Sequence, residues 1–305
     1  MLYKHKATIS RLLFSSLVIS TLFSCNEEPI GNLGNNNPNN PPANFSENFG
    51  QTAYHDFIGQ VVDFENNPVS GASIMIGNSS TNTDNNGVFI IRNTAVYEKF
   101  AYIKAEKVGF IHGSRSVVPN SSVNHIKIML LPQTVTQTVS SGINSTVSLS
   151  NGAAVNLSGE YSNLDGSDYS GNVQVTLHFL NPTDEAMTQQ MPGMLLAQNY
   201  QNEAQILKTL GMLAVELRSD TGEKLNLSEG SEATISVPLD PETLNGAPNE
   251  IPLWYFDEDN GYWIEEGSAT LQGNSYVGTV SHFSFWNCDI PTEYVNICIN
   301  ISDAN

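Results

Sequence analysis

His282 sits in Val280-Ser-His-Phe-Ser-Phe-Trp286 between Ser281 and Ser284, and a histidine beside a hydroxyl is the pairing that nucleophilic catalysis uses. The chain has no Gly-x-Ser-x-Gly elbow and no second histidine nearby. The simpler reading is a structural side chain on a strand, bonded to a backbone carbonyl at a sandwich edge. His178 alternates onto the polar face of its strand and reads as solvated, and His55, His112 and His125 lack metal-ligand spacing. Asp257-Glu-Asp-Asn-Gly261 offers oxygen ligands for a hard cation such as Ca²⁺, but without the downstream glutamate of an EF-hand loop. A hairpin turn explains the same five residues through their backbone preferences. Trp254, Trp263 and Trp286, with Tyr255, Tyr262 and Tyr276, could stack on sugar rings or fill a sandwich core. Met187, Met191, Met194 and Met212 could line an adaptable surface, though core filling by a short helix is simpler. No catalytic residue, metal ligand or cofactor-binding residue is assigned.

Three cysteines carry the remaining chemistry. Lys4, Lys6 and Arg11 precede an apolar run from Leu12 to Phe23 that is too short to remain as a membrane span. Leu22-Phe23-Ser24-Cys25 resembles a lipobox, where bacterial signal peptidase II cuts before a diacylglyceryl-modified cysteine; Phe23 is bulkier than usual at its position. The resemblance implies that residues 1–24 are a lipoprotein signal peptide and that Cys25 carries the lipid joining the protein to a membrane. The alternative is an ordinary cleaved signal followed by a chance cysteine. Glu27 and Glu28 resemble the short acidic signal that sends lipoproteins of Bacteroidetes-type bacteria to the outer face of the outer membrane. Cys288 and Cys298 are then an even pair in an oxidising compartment, candidates for a disulfide or for two half-buried thiols.

Removing residues 1–24 takes away three basic and no acidic residues, so the net charge moves from −19 to −22. Such a chain excludes nucleic acid as a partner, because phosphate binding needs a basic stripe. An acidic lipid surface would repel it too, which leaves the anchoring to the covalent lipid. Residues 25–55, containing Gly31-Asn-Leu-Gly-Asn-Asn-Asn-Pro-Asn-Asn-Pro-Pro42, read as a tether with almost nothing to bury. Beyond Phe57 come short alternating runs separated by turn residues. Ala72, Ile74 and Ile76 form one apolar face, and Ile126, Ile128 and Leu130 another. Asp84-Asn-Asn-Gly87 reads as a turn whose glycine takes positive φ.

Gly59-Gln-Val61-Val-Asp63, Pro68-Val-Ser-Gly71-Ala72-Ser-Ile74, Thr83-Asp84-Asn-Asn-Gly87-Val-Phe89 and Ile103-Lys-Ala105-Glu-Lys-Val-Gly109-Phe110 resemble a carboxypeptidase regulatory-like domain over residues 56–132. That resemblance implies a transthyretin-like, seven-stranded sandwich and no peptidase activity. Residues 133–290 read as a second β-rich domain. Its strands include Val173–Phe179 and Ala233–Val237, and a hairpin turns at Asp257–Gly261. A short helical insertion or long ordered loop is expected between Asp184 and Leu210. The aromatic end of this domain resembles a region found after regulatory-like domains in bacterial surface proteins, and more faintly cartilage intermediate layer protein and its relatives. Residues 291–305, with Val295, Ile297, Ile299 and Ile301 alternating, read as the first strand of a truncated third domain, mobile from about Pro291; a strand that completes the second domain is the alternative. The expected fold is all-β with tandem β-sandwich domains. The expected function is a non-enzymatic, lipid-anchored surface protein acting as spacer, scaffold or adhesion module. The alternative is a module binding an extracellular glycan or protein, and a degradative hydrolase comes third.

Overall fold

A computed structural model describes residues 45–292, which fall in one compact unit. The chain is all-β. Thr52–Val62 (β1), Ser73–Ile76 (β2), Ser79–Asn82 (β3), Val88–Tyr97 (β4), Ala101–Glu106 (β5), Gly113–Val117 (β6) and Asn124–Met129 (β7) make up the first half. They form a three-stranded sheet in the order β4-β1-β7 and a four-stranded sheet in the order β3-β2-β5-β6. The alternation of the sequence explains what lies between them. Phe57, Ile74, Ile76 and Ile103 are fully buried, with Ile126, Ile128 and Leu130 in the same core. In the turn before β4, the Asp84 carboxylate accepts the backbone N–H groups of Asn86 and Val88, and Gly87 takes φ +70°. The turn chemistry is as expected.

From Gln137 to Thr292, fourteen strands connect through hydrogen bonds among the described residues. The longest, Ala204–Ser219, pairs antiparallel with Asn172–Leu180 on one side and with Phe285–Thr292 on the other. Val173, Val175, Leu213, Ile235, Leu253 and Trp286 sit in the core that results. Between Asp184 and Leu210 there is one short helix, Met187–Gln190, then a strand, Leu196–Gln198. Met187, Met191 and Met212 are buried, as core filling requires.

The structure corrects two expected boundaries. The tether read as running to residue 55 ends earlier: Phe45–Phe49 is a 3-10 helix with both phenylalanines buried, and β1 begins at Thr52. Two aromatic side chains give this stretch something to bury that the Asn/Pro run before it lacks. The last strand also passes residue 290, because Pro291 and Thr292 pair with Leu207 and Ile206. Cys25, the signal peptide, Cys298 and the alternating segment from Val295 lie outside the described residues. Among the described residues, no helix is long and apolar enough to cross a membrane.

Candidate functional site

The two halves share a buried core. Ile111 and Leu131 of the first half pack with Met187, Met212, Trp254, Phe256, Trp263 and Phe285 of the second. Above that core the hairpin between Glu250–Asp257 and Tyr262–Gln272 reaches into the first half's four-stranded sheet. Asp257 Oδ1 accepts the N–H groups of Asp259 and Asn260, and its Oδ2 accepts from Asn260 Nδ2. The carboxylate therefore builds the turn, and the residues offered for calcium are engaged elsewhere. Tyr102 on β5 donates to the Glu258 carbonyl at 3.0 Å, and Ser116 on β6 donates to the Gly261 carbonyl at 2.6 Å. Arg115 donates to the Gly193 carbonyl, and the Gly193 N–H donates to Ser114. Asp259 faces Lys104 at 3.7 Å. The loop is a clasp.

Two clefts flank the clasp. The first, about 600 Å³, is lined by His112 and by charged groups that include Lys107, Glu216, Arg218, Lys224 and Glu258. Glu258 lies 3.2 Å from Lys224 and 3.7 Å from His112. Burial works against its ionisation, but the neighbouring His112 ring and the Lys224 ammonium, which donates to the carboxylate, outweigh burial and hold the carboxyl at about 2. Glu216, itself buried, accepts from Arg218 Nε at 2.9 Å and from Gln133. Both carboxylates are thus committed to cations or donors, and one held at about 2 is poorly matched to proton transfer near neutral pH.

The second cleft, about 530 Å³, has aromatic walls. Phe49 stacks on Phe100 with ring centres 4.2 Å apart, and Phe45 packs on Tyr262 at 4.6 Å. Tyr97, 41% exposed, and Met75, 50% exposed, present apolar surface to solvent, while Lys104, Asp259 and Asn260 supply polar groups at the lip. The volume is that of a small-ligand cleft.

The candidates from the sequence fall elsewhere. His282 lies in the turn between Ser275–Val280 and Phe285–Thr292 rather than on a strand. Its partner is a side chain and not a backbone carbonyl: Nε2 faces Glu266 at 3.5 Å, and the ring packs edge-on against Tyr255. Ser281 donates to Glu266 and Ser284 to the Phe285 carbonyl, so neither hydroxyl is directed at the imidazole. His178 is not a solvated side chain either. Its Nε2 donates to the Pro132 carbonyl at 2.8 Å, tying the second half to the linking segment, and burial lowers its pKa. The expected aromatic platform is in the interior: Trp254, Trp263, Trp286 and Tyr276 are at most 1% exposed and Tyr262 is buried. Cys288 is fully buried, and its pairing with Cys298 lies outside the described residues. Tyr102, Lys224 and Glu216 were missed, and His112 was weighed only as a metal ligand. Each meets its partner across the fold, so no local spacing announces it.

No family model matches the chain. Cartilage intermediate layer protein 2 of Mus musculus is 31% identical over 116 residues, and that of Homo sapiens 30% over 118. Those stretches are 38% and 39% of this chain but only 10% of each relative, so the match spans about a tenth of their length. Among solved structures, a Bacteroides fragilis protein of unknown function, described as membrane-associated, aligns over 79% of this chain and 99% of its own. Its TM-score is 0.22 and its identity 8%. The Bacillus anthracis TIE protein aligns over 79% of this chain and 46% of its own, with TM-score 0.22 and identity 10%.

Proposed function

We propose that this protein is a non-enzymatic surface module, anchored through lipid on Cys25, whose two β-halves are locked into one rigid spacer. The observation that carries this reading is the junction: a shared core under a clasp of side-chain-to-backbone hydrogen bonds. Tandem domains joined by a linker ordinarily move against each other unless their interface is large and apolar. Here Trp254, Phe256 and Trp263 are buried where Ile111 and Leu131 meet them. Calorimetry of the protein should give one unfolding transition with equal calorimetric and van't Hoff enthalpies. Two separate transitions would defeat the rigid-spacer reading. The anchor has its own test: Cys25→Ala should move the protein from membrane to soluble fractions, and a mature N-terminus at another residue would rule the lipid out.

A second reading places ligand binding, of a glycan or a peptide, in the aromatic cleft. It rests on Tyr97 and Met75, which leave apolar surface exposed beside Lys104 and Asn260. Screening of glycans and peptides should yield a ligand whose binding Tyr97→Ala abolishes. Binding that survives this substitution would place the ligand elsewhere.

A further inference from the structure

The first half is threaded so that its entering and leaving strands lie side by side. β1 and β7 pair in parallel over six register positions, from Phe57↔Asn124 to Val62↔Met129. The ladder runs one step further, where the Leu130 N–H donates to the Val62 carbonyl at 2.9 Å. On its other side β1 pairs antiparallel with β4, from Thr52↔Tyr97 to Gln60↔Val88, so it is the central strand of its sheet and is held along both edges. Side chains pin the point where the parallel run begins. The register of β1 against β4 shifts between His55 and Phe57, and at Asp56 the carboxylate accepts the Asn93 N–H at 2.8 Å. The Asp56 carbonyl accepts Asn124 Nδ2 at 3.2 Å, a bond from β7 made by a side chain only 3% exposed. The exit is fixed too. The Leu131 carbonyl accepts the Ile111 N–H at 2.8 Å, and the Pro132 carbonyl is bonded to His178 of the second half.

We propose that the first half is a load-bearing clamp, which carries tension between a membrane anchor and the second half as shear along the β1–β7 ladder. The inference rests on the anchored-spacer reading, which supplies the tension; the topology supplies the resistance. Tension that enters at the start of β1 and leaves at the end of β7 pulls two parallel neighbours in opposite directions along their length. The evenly spaced bonds of a parallel ladder then share the load and must yield together. Two antiparallel strands pulled apart at one end behave differently, because each bond in turn meets the whole load. Drawing β1 out along its axis also shears its ladder with β4. Gradual slippage is blocked by burial. Phe57 and Val61 of β1 and Ile126 and Ile128 of β7 lie in one core, and a one-residue slip would turn a strand's buried side chains toward solvent. Forced unfolding is governed by the rate of crossing the unfolding barrier, so this arrangement raises mechanical strength whatever the equilibrium stability. Asn124 is the positioning residue of the clamp, since it ties β7 to β1 at the end where the load arrives.

The test is single-molecule force spectroscopy on the full chain, with azide-bearing residues as handles at exposed positions. Handles at Thr52 and Thr134 load the β1–β7 ladder in shear, whereas handles at Thr52 and Tyr97 pull the paired ends of β1 and β4 apart. At one pulling speed, the first pair should unfold the protein at several-fold higher force than the second. Asn124→Ala should lower the force for the first pair and leave the second unchanged, with circular dichroism confirming that the variant is folded. The comparison of the two handle pairs decides the matter even where that variant does not fold. Equal forces in the two geometries, or a lower force between Thr52 and Thr134, would overturn the clamp. So would an Asn124→Ala variant that weakens both geometries alike. These outcomes are separable from failure of the spacer reading, which calorimetry tests: equal forces with a single thermal transition remove the clamp and keep the rigid spacer.

Discussion

Gly261 is where the junction is most sharply constrained, and replacing it with alanine tests the account of the clasp. Its φ is +84°, a left-handed conformation that costs an ordinary residue about 1–2 kcal/mol. A Cβ there would stand 2.4 Å from Cγ and Cδ2 of Tyr102, well inside contact distance. Tyr102 has little room to yield, because its hydroxyl is held by the Glu258 carbonyl and its ring packs against Phe256. Overpacking of this kind costs about 1–3 kcal/mol. Gly261→Ala should therefore lose about 2–5 kcal/mol in urea unfolding at neutral pH. The two contributions separate in a double-mutant cycle. With Tyr102→Ala already present, only the backbone part, about 1–2 kcal/mol, should remain. A loss below about 0.5 kcal/mol in the parent, the size of an ordinary surface substitution, would refute the reasoning. So would an equal loss in both backgrounds, since the ring would then not be what the new methyl meets.

Glu258 should make stability depend on acid pH. Its folded pKa is depressed to about 2 from 4.5, so its contribution is complete above 4.5 and is lost as pH falls through about 2. At about 1.4 kcal/mol per pH unit, and discounted for partial exposure, the effect is about 1–2 kcal/mol. In unfolding curves, the deficit of Glu258→Gln should be largest near neutral pH and shrink across that window; a deficit that grows on acidification contradicts the sign. Trp263→Ala removes a fully buried indole from the shared core and should cost about 3–5 kcal/mol by denaturant titration. Cys288 is buried and its thiol is raised in pKa, first by burial and then by Asp289, so a thiol reagent should label it only after unfolding. Rapid labelling of native protein at Cys288 would contradict its burial.

What the sequence disclosed was local. Alternation at Ala72, Ile74 and Ile76 placed those side chains in a core, and Asp257 to Gly261 announced a hairpin by turn chemistry alone. Phe45 and Phe49, two aromatics after an Asn/Pro run, were a legible signal that the tether ends early, and composition averaged over the linker concealed it. The clasp was not legible. Tyr102 and Glu258 are 156 residues apart, and a tyrosine on an alternating strand gives no sign of which carbonyl it will reach. The aromatic-rich end was ambiguous for a related reason: the same residue types fill cores and line sugar sites, and only burial separates the two. His282 was misplaced because Ser281 to Ser284 looks extended by composition, yet the chain must turn there to bring Phe285–Thr292 back beside Ala204–Ser219.

The shared core also fixes an order of assembly. β1 pairs in parallel with β7, so the first half can close its sheets once the chain has been made as far as about residue 130. Ile111 and Leu131 then wait uncovered until Trp254 and Trp263 exist. Contacts across such separations are slow to find, because the entropy of closing the intervening loop is lost before any burial is gained. Refolding from denaturant should run in two kinetic phases, an early one within residues 52–129 and a later docking step that engages the tryptophans. The interval between them is when this protein is most exposed to misassembly, and the apolar surface at risk belongs to the half that finished first.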